Sequence, residues 1–299
     1  MKVLRNPLMI LGMIVSWSVF YAISKVLVDA TGSAVAAGAA LRLFALVFLT
    51  AQLILDKEVR LLFHQGRTAW VLLLIGVFGF LLDLFANLGY AGGSLSTGTA
   101  LLKTDVLMVD LVTVALYHKK LYATDWLGTG VMLLGVLFVL GVDFRGMEIH
   151  LTDLFFLLSA ACVTANAFLI KSAQTHPKTD SDMISYYNNF VVLLLFSLSC
   201  GVTGALTPER LAVLGKLWPL AVLGGLAQTG IYFFYYRNLR HFEVWQVKLY
   251  LLLMPILSCI LGVAFLGESL TSSKILGILI VLAGAALILL RSRIHKEAA

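Results

Sequence analysis

The sequence predicts an all-α integral membrane protein: ten transmembrane helices arranged as two inverted five-helix repeats. Three observations predict it. The composition leaves too little polar surface for water, ten apolar stretches are long enough to cross a bilayer, and the second half repeats the first after an odd number of spans. Of the 299 residues, 60% are hydrophobic and 13% charged, with a mean hydropathy of +0.96. Soluble domains carry about a quarter charged residues. The composition therefore disfavours nucleic-acid readers, soluble enzymes and disordered scaffolds. The formal charge of +6 matters less here than where its residues fall.

A helix needs about 20 residues to cross a hydrocarbon core of roughly 30 Å. The first candidate, Leu8–Val28, carries Trp17, Tyr21 and Lys25. Lys2 and Arg5 before it, and Ala34-Val35-Ala36 after it, imitate a signal peptide. Its run exceeds the 7 to 15 residues of a signal core, so a retained span is expected. Ala34–Leu55 follows with Arg42, then Ala69–Leu88 with Asp83. Thr97–Tyr117 contains Lys103, Asp105 and Asp110, and Asp125–Gly141 contains Gly128 and Gly135. Leu151–Ile170 brings Thr164 and Asn166, and Met183–Leu206 brings Asn188. Leu217–Tyr236 brings Gln228, Tyr232, Tyr235 and Tyr236. Val244–Leu266 holds Trp245, Gln246, Lys248 and Tyr250, and Ser272–Leu290 closes the series with Gly277 and Gly284. Glycines spread through these stretches suit close helix packing in lipid.

Basic residues favour the cytoplasmic side. One set of connections holds fourteen of them (Lys2, Arg5, Lys57, Arg60, Arg67, Lys119, Lys120, Lys171, Lys178, Arg237, Arg240, Arg291, Arg293 and Lys296). The other holds Arg145, Arg210, Lys216 and Lys274. Both termini are expected in the cytoplasm, with the protein in the inner or plasma membrane. Cys162, Cys200 and Cys259 fall singly within spans and read as small buried apolar side chains. All six histidines lie in loops or at span ends. Neither a metal nor another cofactor is expected, and no nucleic acid partner.

The halves share an ordered set of features. Gly128 and Gly135 in span 5 match Gly277 and Gly284 in span 10; Lys25 ends span 1 as Lys171 ends span 6; Arg42 and Asn188 come seventeen residues after those lysines. This divides the chain into residues 1–146 and 147–299. Five spans per half inserts the second upside down, the design of carriers that open a midplane site alternately to each side. Two fused repeats remove the need for a dimer, so a monomer is expected to function.

Particular residues resemble the EamA family of the drug/metabolite transporter superfamily. They are Ser16-Trp17 with Lys25, Leu41-Arg42-Leu43-Phe44, and Pro255 followed by Leu266-Gly267-Glu268-Ser269-Leu270 and Gly277. The likeness covers essentially the whole chain as two copies. It departs from the pattern at Val106, where proline is common, and at Lys119, where glutamate is. The resemblance implies export of amino acids or other small metabolites, through a cavity lined by spans 1, 3, 4, 6, 8 and 9.

Ionisable groups inside a bilayer cost roughly 2.5–3.5 kcal/mol each, so each needs a partner, water or a role. By helical rise, Asp83 and Lys103 lie at matched depths of roughly 8 and 9 Å, and are expected to pair. Arg42 is the expected partner of Asp105, as a structural pair. Lys25 and Lys248 are expected to snorkel. Asp110, near the midplane, is with Asp83 the candidate for exchanging a proton during the cycle. Tyr235, Tyr236 and Trp245 are assigned to the inner aromatic belt. Gln228, Tyr232 and Asn166 lie deeper, and Trp17 with Tyr21 forms an aromatic wall. A cavity of Trp17, Tyr21, Asp83, Lys103, Asn166, Gln228 and Tyr232 suits a zwitterion with apolar bulk, Lys103 taking its carboxylate.

The reading that results is a secondary active exporter of an amino acid or related zwitterion, with the bilayer and possible coupling protons as its partners. An organic-cation exporter is the alternative, weakened because span 1 has no glutamate. A membrane transferase would need clustered acids for magnesium; the close pairs Asp180/Asp182 and Asp56/Glu58 sit among basic residues.

Overall fold

The computed structural model describes residues 7–57, 59, 68–117, 123–140, 151–176, 179–269 and 271–297. Among them every regular element is helical. The first repeat comprises α1 (Pro7–Thr31), α2 (Ala34–Leu55), α3 (Ala69–Tyr90), α4 (Leu95–Leu101), α5 (Asp105–Tyr117) and α6 (Ala123–Leu140). The second comprises α7 (Leu151–Ala173), α8 (Ser181–Thr203), α9 (Pro208–Lys216), α10 (Trp218–His241), α11 (Val244–Tyr250), α12 (Met254–Leu266) and α13 (Ser272–Glu297). Each of the ten apolar stretches is helical over most of its length, and the second has the bounds read from the sequence.

Among the described residues, six helices are long and apolar enough to cross a membrane. A seventh is added if α9 and α10, bent by 74° at their junction, count as one. Many large apolar side chains face outward, among them Leu8, Val47, Trp70, Leu198 and Phe265. In water such a surface would be unfavourable by the cost of its apolar area; against lipid it is matched.

Two stretches read as continuous are interrupted, and in the same way. The fourth is a seven-residue helix, a three-residue 3-10 turn at Leu102–Thr104 and a thirteen-residue helix. The ninth has the same three lengths, with its 3-10 turn at Leu251–Leu253 and Pro255 just beyond. Packing obeys the same exchange of repeats. The α3 contact with α7 corresponds to that of α10 with α1, and α3 on α8 to α10 on α2. Two contacts map onto themselves, α2 with α8 and α6 with α13.

Glycine sets the last of these distances. A Cβ on Gly135 would stand 2.6 Å from the Val281 backbone nitrogen, and one on Gly284 would stand 2.7 Å from the Gly128 carbonyl oxygen. The glycine pairs legible as a repeat are thus where the repeats' last helices touch. At the end of α12, Gly267 turns the chain at φ +66°. Glu268 then accepts hydrogen bonds from the Leu95 and Ser96 backbone N–H groups at 2.6 and 3.2 Å, capping α4 from the other repeat.

Candidate functional site

The centre of the bundle is built around Arg42, which is 3% exposed. Its Nε donates to Asp83 Oδ2 at 2.7 Å, and its Nη2 donates to the same oxygen. Its Nη1 donates to Tyr232 Oη and to Asn189 Oδ1. The rings of Phe20 and Tyr232 each lie 5.7 Å from its guanidinium carbon. Asp83 and Tyr232 are both the fifteenth residue of their helices, α3 counted from Ala69 and α10 from Trp218. Equivalent positions of the two repeats thus grip one arginine. A buried charge is costly unless paired and hydrogen-bonded, and this guanidinium has an ion pair and four hydrogen bonds.

A cavity opens beside this cluster. Its polar wall is Arg42, Asp83, Asn166, Asn188 and Gln228, and its aromatic wall is Trp17, Phe20, Tyr232, Tyr235 and Tyr236. About 40 Å³ is open to the centre of a water-sized sphere, room for about three waters. Asn166 donates to the Ile75 carbonyl at 2.6 Å, and Asn188 donates to Tyr236 Oη. Trp17 and Tyr235 meet edge-on at 4.9 Å.

A second buried ion pair lies nearby: Lys248 Nζ donates to Asp105 Oδ2 at 2.7 Å, with the side chains 0% and 1% exposed. Both sequence-predicted pairings are therefore corrected. Asp83 pairs with Arg42 and not Lys103, and Asp105 pairs with Lys248 and not Arg42. The reason is packing: α5 and α11, 143 positions apart at the paired residues, lie side by side. Lys248 consequently does not snorkel. Tyr235 and Tyr236, assigned to the interfacial belt, are 3% and 2% exposed and line the cavity instead.

Of the other predicted residues, Trp17, Asp83, Asn166, Gln228 and Tyr232 meet at the central cavity. Tyr21 and Lys103 line a smaller cavity alongside it. The side chain of Asp110 lies outside the described residues. Phe20, Asn188 and Asn189 were not singled out as site residues by sequence. The repeat read from the sequence matches Arg42 with Asn188; the residue that occupies the equivalent place and meets Arg42 is the next one, Asn189.

The ends of the bundle are tied by lysine. Lys25 Nζ donates to the Tyr90 carbonyl at 3.1 Å and to Asp29 at 2.7 Å. Lys171 Nζ donates to the Leu239 and Phe242 carbonyls at 2.6 and 2.9 Å. Tyr90 and Leu239 are both the twenty-second residue of their helices.

Two copies of one sequence pattern account for this duplicated architecture: the EamA-like transporter family matches residues 5–141 and again residues 150–290. The chain belongs to the EamA-like transporter family. It is accordingly a multi-pass membrane protein of the drug/metabolite transporter superfamily, a class of transporters. Among solved structures, this EamA-like chain is similar to one described only as "Crystal structure of protein", at 18% identity and a TM-score of 0.69. The match covers 94% of this chain and 97% of that one. Likeness at that identity is one of fold. No curated protein is significantly similar in sequence.

Proposed function

We propose that this EamA-like transporter is a ten-span secondary carrier, two inverted repeats joined near residue 146, that exports an amino acid or related zwitterion by alternating access. Both termini lie in the cytoplasm, and the protein acts as a monomer in the inner or plasma membrane. One observation carries the reading. A polar and aromatic cavity sits where equivalent positions of the two repeats meet, yet it has room for only about three waters. A carrier whose two halves close over a midplane site has this form. Substrate enters when one repeat shifts against the other and widens the cavity toward one side.

Counterflow in proteoliposomes tests it. Vesicles preloaded with unlabelled amino acids should accumulate labelled amino acid from outside, saturably, and faster than unloaded vesicles. Uptake that does not saturate and is indifferent to preloading would rule out a carrier. Exchange of organic cations alone would rule out the amino-acid reading. Repeating the assay with and without a pH gradient decides whether protons are coupled.

A further inference from the structure

Inside the bundle, two described cations make contact ion pairs with carboxylates and a third makes none. Arg42 is matched by Asp83 and Lys248 by Asp105. Lys103 is 5% exposed, and among the described residues it makes no hydrogen bond or ion pair. Asp105 presents Oδ2 to Lys248 and leaves Oδ1 buried without a partner. The residues that carry these groups, Lys103 and Asp105, both line a single small cavity and attract each other electrostatically. About 10 Å³ of it is open to the centre of a water-sized sphere, near the minimum for one water. A buried charge without a hydrogen bond is costly by desolvation, so the arrangement is complementary to a ligand that carries both charges.

The small cavity and the central one share two wall residues, Trp17 and Val163. Tyr235 steadies the Trp17 ring from the central side. Trp17 and Val163 thus stand between the two spaces.

We propose that Lys103 and Asp105 form the head-group subsite for an α-amino acid, reached from the central cavity past Trp17. Lys103 Nζ donates to the carboxylate, and the substrate ammonium donates to Asp105 Oδ1. The apolar body stays among Phe20, Tyr232 and Tyr235. This rests on the transport reading above and assigns its substrate a position; Arg42, neutralised by Asp83, then holds the repeats together through Tyr232 and Asn189 and does not take the head group.

The test is ligand-induced thermal stabilisation of the purified protein, which grows with occupancy. The probes are a panel of L-α-amino acids, with leucine compared against isoamylamine, which lacks its carboxylate, and isocaproate, which lacks its amine. Leucine should bind at least tenfold more tightly than either analogue. Lys103→Met should lower leucine to the level of isoamylamine while leaving isoamylamine unchanged, and Lys103→Arg should keep the preference. Asp105→Asn should remove the advantage of leucine over isocaproate; if it does not fold, the Lys103 pair of variants decides alone. Leucine bound equally by native protein and Lys103→Met overturns the subsite and leaves the carrier reading standing. Stabilisation by none of the amino acids overturns both.

Discussion

Arg42 and Asn189 occupy the same place in the two repeats and hydrogen-bond to each other twice. Both are the ninth residue of their helices, α2 counted from Ala34 and α8 from Ser181. Arg42 Nη1 donates to Asn189 Oδ1 at 3.3 Å, and Asn189 Nδ2 returns a bond to the Arg42 carbonyl at 3.0 Å. Residues that meet their own equivalents lie at the axis relating the repeats. Two arginines there would repel each other in a medium that screens poorly. An arginine facing an asparagine keeps the contact and leaves one positive charge for Asp83. The axis is thus built from different side chains on its two sides, although the backbone around it is duplicated.

Breaking that pair should be costly, and removing all of it much less so. Arg42→Met leaves Asp83 buried without its cation and is expected to destabilise by roughly 3–5 kcal/mol. The double variant Arg42→Met, Asp83→Leu should recover part of the loss, since a buried pair replaced by apolar groups is often near neutral. Thermal unfolding in one detergent measures both. A double variant as unstable as the single would show that Tyr232 and Asn189, and not the ion pair, depend on Arg42.

The α6–α13 contact should respond to a single methyl group. Gly135→Ala and Gly284→Ala each place a carbon against backbone atoms that cannot move aside. A loss of roughly 1–3 kcal/mol is expected for each, the usual cost of overpacking. Gly130 faces open space, so Gly130→Ala should be neutral or slightly stabilising by helix propensity. Equal effects at all three positions would contradict a glycine-set distance.

The helices were legible because each is encoded locally, in the length and apolarity of one stretch. Ala34–Leu55 shows this best: hydrophobicity stops where the helix does. The repeat was legible for a related reason, since paired glycines and lysines survive as a pattern of positions. The ion pairs were not legible. Matching depths by helical rise presumes straight helices, whereas the 3-10 turn at Leu102–Thr104 changes the rotation between Lys103 and Asp105. No proline or glycine marks that turn. The partner of Asp105, moreover, is set by which helix lies beside α5, and hydropathy holds no information on that.

Glu268, half-buried beside α4, should contribute measurably to stability. It satisfies two N-terminal backbone donors of α4 and also accepts from the Ser96 hydroxyl. Glu268→Ala is expected to cost ~0.5–2 kcal/mol, the range for losing a helix cap. Glu268→Gln should fall between native and Ala, since one amide oxygen can replace only one of two carboxylate acceptors. Unfolding curves in detergent would show the order, and an alanine variant as stable as native would remove the cap from the account.

Lys25 and Lys171 make equivalent bonds in the two repeats, so in an inverted arrangement they tie opposite ends of the bundle. Lys25 joins α1 to the carbonyl end of α3, and Lys171 joins α7 to the carbonyl end of α10. A hydrogen bond from a charged donor contributes about 1.5–3 kcal/mol, enough to shift an open–closed equilibrium roughly tenfold or more. Lys25→Met should therefore favour opening toward the outer side, and Lys171→Met toward the inner side. Gln174 beside Lys171 donates to the Tyr236 carbonyl, so one tie between α7 and α10 remains when Lys171 is replaced. The readout is the labelling rate of a single cysteine introduced as Gln228→Cys, with the three native cysteines replaced, by an impermeant thiol reagent applied to either face of oriented vesicles. Opposite shifts are the expected result. Shifts in the same direction, or none, would mean that the lysines only cap helix ends and do not hold either side shut.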